Sequence, residues 1–310
     1  MSFLVIGECV ADIVRAPGTA DRVHPGGSPA NVAYGLARLG REVTLLTQLA
    51  DDPDGRLIAG HLKGAGVRVE VGGAPARTPS AVVALDDQGR ATYTFDIAWT
   101  LEAEHARSVP APTYVHIGSI AAVTAPGAAA VVALVEGLRG RATVSYDPNV
   151  RPALMGDHAE AVARVERCVA LSDLVKASDE DLAWLYPGES PRTVATRWLD
   201  LGPAVVLVTR GADGSLAVTR RATATATAPA VPVVDTVGAG DSFMSAVLDT
   251  LAMRGRDDLG GVGAEYLARL LRRAGAAAAV TVSRAGAQPP DRDELDAAGE
   301  EFVITCGRAW

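Results

Sequence analysis

Asp235-Thr236-Val237-Gly238-Ala239-Gly240-Asp241-Ser242-Phe243 follows the extended apolar run 231–234 and opens a helical stretch that reaches 253. Gly238 and Gly240 let the backbone bend and let a ligand approach closely. The unpaired N–H groups of the helix start, added to the helix dipole, make an anion site that suits a phosphate. Asp241 falls in the first turn beside that site. Two readings of it stand. It complements the positive end of the helix, or it is a general base that takes the proton of an attacking hydroxyl as a γ-phosphoryl group arrives.

Around this stretch, short apolar runs alternate with helical patterns. The strand candidates are 3–6, 43–49, 114–117, 143–146, 174–176 and 205–209. Ser28 and Pro29 read as the N-cap and first residue of a helix that Gly40 closes, and Asp52-Pro53 opens a second that runs to about 63. Further helices are expected at about 126–138, 157–171, 179–186, 192–201, 238–253 and 264–280. Alternating β and α with nearly all-apolar strands predicts a parallel sheet covered by helices on both faces. One region differs. Residues 81–95 read as two strands around an Asp86-Asp87-Gln88-Gly89 turn, with further strand character in 8–23. We read these as a small β flap on a single domain.

The 310 residues carry a formal net charge of -8, and Lys63 and Lys176 are the only lysines. A nucleic acid partner would demand clustered basic residues, so that class is set aside. Cys9, Cys168 and Cys306 show neither C-x-x-C nor zinc spacing and read as reduced, idle thiols. The N-terminal apolar run is short for a secretory signal and is cut by Glu8 and Asp12. No run reaches the ~20 apolar residues of a membrane span. The cytoplasm is the expected location.

Gly26-Gly27-Ser28-Pro29-Ala30-Asn31 is the second signal. Asn31 is a mediocre helix former in an early turn, and its amide can grip neighbouring sugar hydroxyls while the glycines admit the ring. Ordinary helix-capping chemistry is the competing reading. Other nucleotide motifs fail: the G-x-x-x-x-G-K-[ST] loop is absent, and the turn after the first strand lacks the second and third glycines of a dinucleotide fingerprint.

The two motifs, in this order, resemble the ribokinase-like (PfkB) carbohydrate kinases. Asp12, Asp147-Pro148-Asn149-Val150-Arg151, Thr209-Arg210-Gly211-Ala212-Asp213-Gly214-Ser215 and Ser283-Arg284-Ala285-Gly286-Ala287 extend the resemblance over nearly the whole chain. It implies a three-layer α/β/α sandwich with a mainly parallel central sheet, a single domain over 1–310, and a β-sheet lid formed by about 9–24 and 80–99. It implies ATP-dependent transfer of a phosphoryl group to a sugar hydroxyl. By the resemblance, Asp241 is the base, and the backbone of Gly238, Ala239 and Gly240 holds the migrating group. Asp12, Gly26, Gly27, Asn31 and Arg151 face the sugar. Lys176, Thr209, Gly211 and Gly214 lie along ATP. Asp235, Thr236, Ser283 and Gly286 resemble a potassium site, and magnesium arrives with ATP. Lid pairing implies a homodimer, with Phe95, Ile97 and Trp99 on the sugar side, in the interface or in the core.

One departure stands out. Many members carry Asn-x-x-Glu near the phosphates, where this chain has Ser178-Asp179-Glu180-Asp181. Glu180 and Asp181 are the carboxylates left to order metal-bound water. Gly7-Glu8, the 147–151 segment and 176–182 look most like fructokinases. A 2-keto-3-deoxygluconate kinase, with Arg151 on the acid's carboxylate, is one alternative. A catalytically silent sugar sensor is an alternative of another class.

Overall fold

The computed structural model describes residues 1–306 other than 17, 19, 74, 86–90, 103, 105–110, 253 and 255. In chain order its strands are β1 (Ser2–Ile6), β2 (Val10–Arg15), β3 (Arg22–Gly26), β4 (Glu42–Thr47), β5 (Arg68–Val71), β6 (Ser80–Leu85), β7 (Ala91–Asp96), β8 (Tyr114–Gly118), β9 (Thr143–Asp147), β10 (Leu174–Ser178), β11 (Val205–Thr209), β12 (Ser215–Val218) and β13 (Thr223–Ala226). Its helices are α1 (Ser28–Arg38), α2 (Pro53–Gly64), α3 (Gly127–Leu138), α4 (Pro152–Met155), α5 (His158–Leu171), α6 (Asp179–Leu185), α7 (Pro191–Leu201), α8 (Ala239–Leu251), α9 (Ala264–Val282) and α10 (Arg292–Cys306).

The large sheet has the order β13-β12-β11-β10-β9-β8-β1-β4-β5. Every pairing from β5 to β11 is parallel, and β12 and β13 add an antiparallel edge. Period-two alternation sorts the strand residues between two cores. Phe3 and Val5 of β1 join the core under α1, α2, α8 and α9, while Leu4 and Ile6 join the core under α3, α5 and α7. A strand buried on both faces has no polar face to show, which is why these runs read as continuously apolar. The three-layer α/β/α sandwich expected from the sequence is the fold found. The edge strand β5, and β12 beside the other edge, escaped the sequence reading because each is four residues long, and β5 carries Arg68 and Glu70.

From β1 the chain runs outward through β4 and β5, then returns to place β8 on the other side of β1. The carboxyl ends of β1 and β8 therefore flank a topological switch point, where a doubly wound sheet leaves a crevice.

The second sheet has the order β3-β2-β6-β7, with β2 and β6 parallel and the outer pairs antiparallel. The expected turn at 86–89 lies outside the described residues. Trp99 is a core residue, 1% exposed, and packs over Gly127, where a Cβ would come within 2.4 Å of its ring.

One local expectation is corrected. Ser28 is not the N-cap of α1. Gly27 takes that place at φ 99°, and Ser28 is the first helical residue. A left-handed φ suits glycine and strains serine. The serine hydroxyl is thereby free for another partner.

Candidate active site

α1 and α8 lie side by side because Gly35 has no side chain. A Cβ there would sit 2.4 Å from Ser245 Oγ, which donates to the Val32 carbonyl at 3.2 Å. This contact aligns the first turns of the two helices. Ser28 Oγ donates to Asp241 Oδ1 at 2.6 Å, and Asn31 Nδ2 donates to Asp241 Oδ2 at 2.8 Å. Asp241 is 8% exposed. Two donors, one to each oxygen, hold the carboxylate as an acceptor and fix its plane. Asn31, expected on the sugar, thus spends its amide nitrogen on the aspartate and keeps its carbonyl oxygen for a ligand.

Gly238 caps α8 at φ 76°, ψ 0°, a left-handed turn that a Cβ would drive to 2.6 Å from Ala287 Cβ. Among the described residues the N–H groups of Gly238 and Gly240 have no backbone acceptor, whereas Ala239 N–H donates to the Thr236 carbonyl at 3.3 Å. The anion hole expected at 238–240 therefore rests on the two glycine amides and the helix dipole more than on Ala239.

Lys176 is buried, and its Nζ donates to Asp147 Oδ2 at 2.8 Å. A Cβ on Gly240 would lie 3.0 Å from that Nζ, so the ammonium packs directly behind the glycine turn. Burial pulls the lysine pKa down, but Asp147, Asp181 and Asp241 outweigh it and hold the group charged. Burial pushes the Asp147 carboxyl up to about 6 against the pull of Lys176. Its Oδ1 has no hydrogen-bond partner among the described residues.

On the opposite side of Asp241, Asp12 crosses Gly26. A Cβ at 26 would fall 2.0 Å from Asp12 Oδ2. Burial raises the Asp12 carboxyl to about 6, opposed by the charges of Arg151 and His24 and supported by that of Asp241. Arg151 is exposed, with Nη1 bonded to Asn149 Oδ1 at 2.8 Å.

The remaining predicted residues gather into three places. Thr209 ends β11, and Gly211 and Gly214 follow at φ 49° and 84°. Gly214 is pressed against β13, where a Cβ would sit 2.0 Å from the Ala226 carbonyl. Asp235 ties two loops together: Oδ1 accepts from Val237 N–H at 3.0 Å and Oδ2 from Gly286 N–H at 2.9 Å. These bonds lower its pKa. Thr236, Ser283 and Gly286 lie along the loops so joined, with Ser283 Oγ bonded to the Val280 carbonyl. Asp181 is bonded within the chain. Its oxygens accept from Val150 N–H at 2.7 Å and Ser178 N–H at 2.8 Å, completing a capping box at the start of α6. Glu180, one residue earlier, is exposed.

Three neighbours of the site are not legible in the sequence. There Ser28 reads as a cap, Asp147 as part of a matching segment, and Glu8 as part of the first turn. The sequence signal for Asp147 and Glu8 is the same: an acidic residue at the end of an apolar strand, where burial makes charge costly.

The pfkB family carbohydrate kinase model matches residues 2–294. The fructokinase of Salmonella typhimurium is 34% identical over 261 residues, covering 81% of this chain and 84% of that one. The crystal structure of a fructokinase from Xylella fastidiosa with bound ATP superposes with a TM-score of 0.88 at 27% identity, covering 97% of this chain and 99% of that one. A double mutant of the Vibrio cholerae O395 fructokinase, with fructose, ADP and potassium ion bound, gives 0.81 at 26% identity over 97% and 98% of the two chains.

Proposed function

The chain belongs to the pfkB family of carbohydrate kinases, and on that premise we propose that it transfers the γ-phosphoryl group of ATP to a hydroxyl of fructose, with Asp241 as general base. The observation that carries the reading is the Asp241 carboxylate, fixed by Ser28 and Asn31 at the lip of the Gly238–Gly240 turn. A hydroxyl beside Asp241 loses its proton to the carboxylate while the phosphoryl oxygens meet the two glycine amides. The buried Lys176 ammonium adds positive potential from behind Gly240. In this reading ATP lies across Thr209, Gly211 and Gly214.

Magnesium arriving with ATP would supply charge neutralisation at the phosphates. Glu180 and Asp181 suit contact through metal-bound water, and Asp181 also holds the 147–151 segment against α6. The loops joined by Asp235 suit a potassium ion held by Asp235, Thr236 and the carbonyls near Ser283 and Gly286.

Charge favours a neutral sugar over 2-keto-3-deoxygluconate. Asp12 and Asp241 outnumber Arg151, whose field falls on Asp12. A substrate carboxylate would meet net repulsion. The four-stranded sheet is read as a lid that excludes water from the transfer and as the contact of a homodimer. Sedimentation at twice the 31.9 kDa chain mass is the expected result.

Turnover of ATP with fructose by the wild type and by Asp241→Asn tests the proposal. The asparagine variant should lose ~10²–10⁴-fold in kcat. Equal turnover in both would remove Asp241 from the mechanism. A wild type silent on every sugar would leave the sensor.

A further inference from the structure

Glu8 is a buried carboxylate that the phosphoryl transfer does not use. It follows β1 at the switch point and is 2% exposed. Its Oε2 accepts from Ala121 N–H at 3.1 Å, with the Ser119 side chain as a second partner. Burial still pushes its pKa up to about 7, against both partners and the Arg151 charge. An apolar side chain of similar size would fill the position without that penalty.

The residue it grips is strained. Ser119 has φ 54° and ψ −152°, a region that glycine occupies and residues with a Cβ avoid. Such a conformation persists where its surroundings over-determine it. Here Ser119 N–H donates to the Asp147 carbonyl at 2.9 Å, and Gly118 lies against the same carbonyl, where a Cβ would come within 2.8 Å. Glu8 closes the third side. Its own carbonyl abuts Gly27, where a Cβ would be 2.5 Å away. A continuous set of contacts thus runs beneath the cleft, from Gly27 through Glu8, Ser119 and Asp147 to Lys176 and Gly240.

We propose that Glu8 is a positioning residue for the acceptor: by clamping Ser119 and Ala121 it fixes the end of β8 as the floor of the sugar side of the cleft. This rests on the sugar-kinase reading of the site. The carboxylate touches the floor and not the reacting atoms, so its removal should loosen the sugar and spare the nucleotide.

The test is steady-state kinetics of the full chain carrying Glu8→Gln, which replaces one acceptor oxygen by a donor. The KM for fructose should rise about tenfold or more, while kcat and the KM for ATP stay within about threefold. Adding Ser119→Gly should recover most of the fructose KM, because glycine adopts the strained φ unaided. An unchanged fructose KM in Glu8→Gln overturns the proposal. So does a parallel rise of both KM values with no recovery in the double variant, which marks a merely structural role. If Glu8→Gln does not fold, Ser119→Ala takes its place: a raised fructose KM supports the clamp and an unchanged one sinks it. Should the wild type phosphorylate another sugar, the same comparison is made with that sugar. Should it turn over none, dissociation constants for fructose and ATP, measured by calorimetry, replace the KM values. The clamp and the kinase reading therefore fail separately.

Discussion

Ser28 Oγ and Asp241 Oδ1 stand 2.6 Å apart, although 213 residues separate them in the chain. The bond joins the glycine turn before α1 to the glycine turn before α8. Each glycine turn looks like ordinary punctuation by itself. Brought together, they set the Asp241 carboxylate between the two turns. The Asn31 amide on Oδ2 completes the grip.

Ser28→Ala should therefore cost activity more than stability. A hydrogen bond to a charged group contributes about 1.5–3 kcal/mol. If about 1.4 kcal/mol of that is lost in the transition state, kcat falls about tenfold. Asn31 still holds Oδ2, so the loss should stay well short of that in Asp241→Asn. Single-turnover rates on ATP and fructose would measure it. A rate equal to wild type would show that the hydroxyl does not orient the base.

Gly238→Ala tests the turn itself. The left-handed φ of 76° costs a residue with a Cβ roughly 1–2 kcal/mol. The new methyl would also meet Ala287 Cβ at 2.6 Å, pushing α8 and the 283–287 loop apart. The variant should melt several degrees lower, and at a temperature where it remains folded it should lose kcat by about tenfold or more. Full activity in a folded Gly238→Ala protein would mean that the amides do not hold the phosphoryl group.

The sequence makes the sandwich legible because a doubly buried parallel strand tends to be apolar, as 3–6 and 205–208 are. It makes Asp241 legible because a carboxylate after Gly-Ala-Gly has few bland explanations. It does not reveal that Ser28 leaves its cap. That depends on φ 99° at Gly27, set by the Glu8 carbonyl from a distant segment. Nor does it reveal how Asp181 is bonded. Ser178-x-x-Asp181 forms a capping box, and a second partner of the carboxylate, Val150, lies 31 residues away. Local pattern fixes the menu of roles, and long-range contacts choose among them.

Asp12 gives a pH prediction whose sign can be worked out. Burial raises its carboxyl to about 6, with Arg151 and His24 pulling down and Asp241 pushing up. A raised carboxyl pKa means that charge is lost as pH falls through about 6. A sugar hydroxyl donating to Asp12 needs the ionised form, so the fructose KM should climb below that pH while the KM for ATP stays flat. Asp12→Asn should bind sugar weakly and lose this limb of the profile. A KM for fructose constant between about pH 5 and 8 would separate Asp12 from the sugar.

Asp249 predicts a stability effect without a catalytic one. This carboxylate is 2% exposed and accepts from Arg41 Nε at 2.6 Å and Arg292 Nη2 at 2.6 Å, with Arg273 at 3.8 Å. It ties α8 to the turn before β4, to α9 and to α10. Breaking a fully buried pair costs about 3–5 kcal/mol, but these guanidiniums are partly exposed, so Asp249→Asn should cost about 2 kcal/mol. Asp249 lies eight residues from Asp241, or ~12 Å along the helix. Denaturant unfolding should report the loss, and kcat of the folded variant should match wild type. Unaltered stability would mean that the arginines find other partners.

The loops tied by Asp235 lead to the last prediction. Val237 and Gly286 N–H groups occupy one carboxylate oxygen each, which brings residues 235–237 and 283–286 together immediately before α8. Each oxygen keeps a lone pair, and the neighbouring backbone carbonyls add further hard ligands. Such a set fits a large monovalent cation better than a small divalent one, which needs a tighter cage. The cation would stiffen the loop that carries the Gly238 amide, so its effect should appear in kcat. Potassium should raise kcat over sodium at equal ionic strength. Asp235→Asn, which swaps one acceptor oxygen for a donor, should lower kcat and abolish the difference between the salts. Equal rates for the wild type in potassium and sodium would remove the cation from these loops and leave Asp235 as a strut alone.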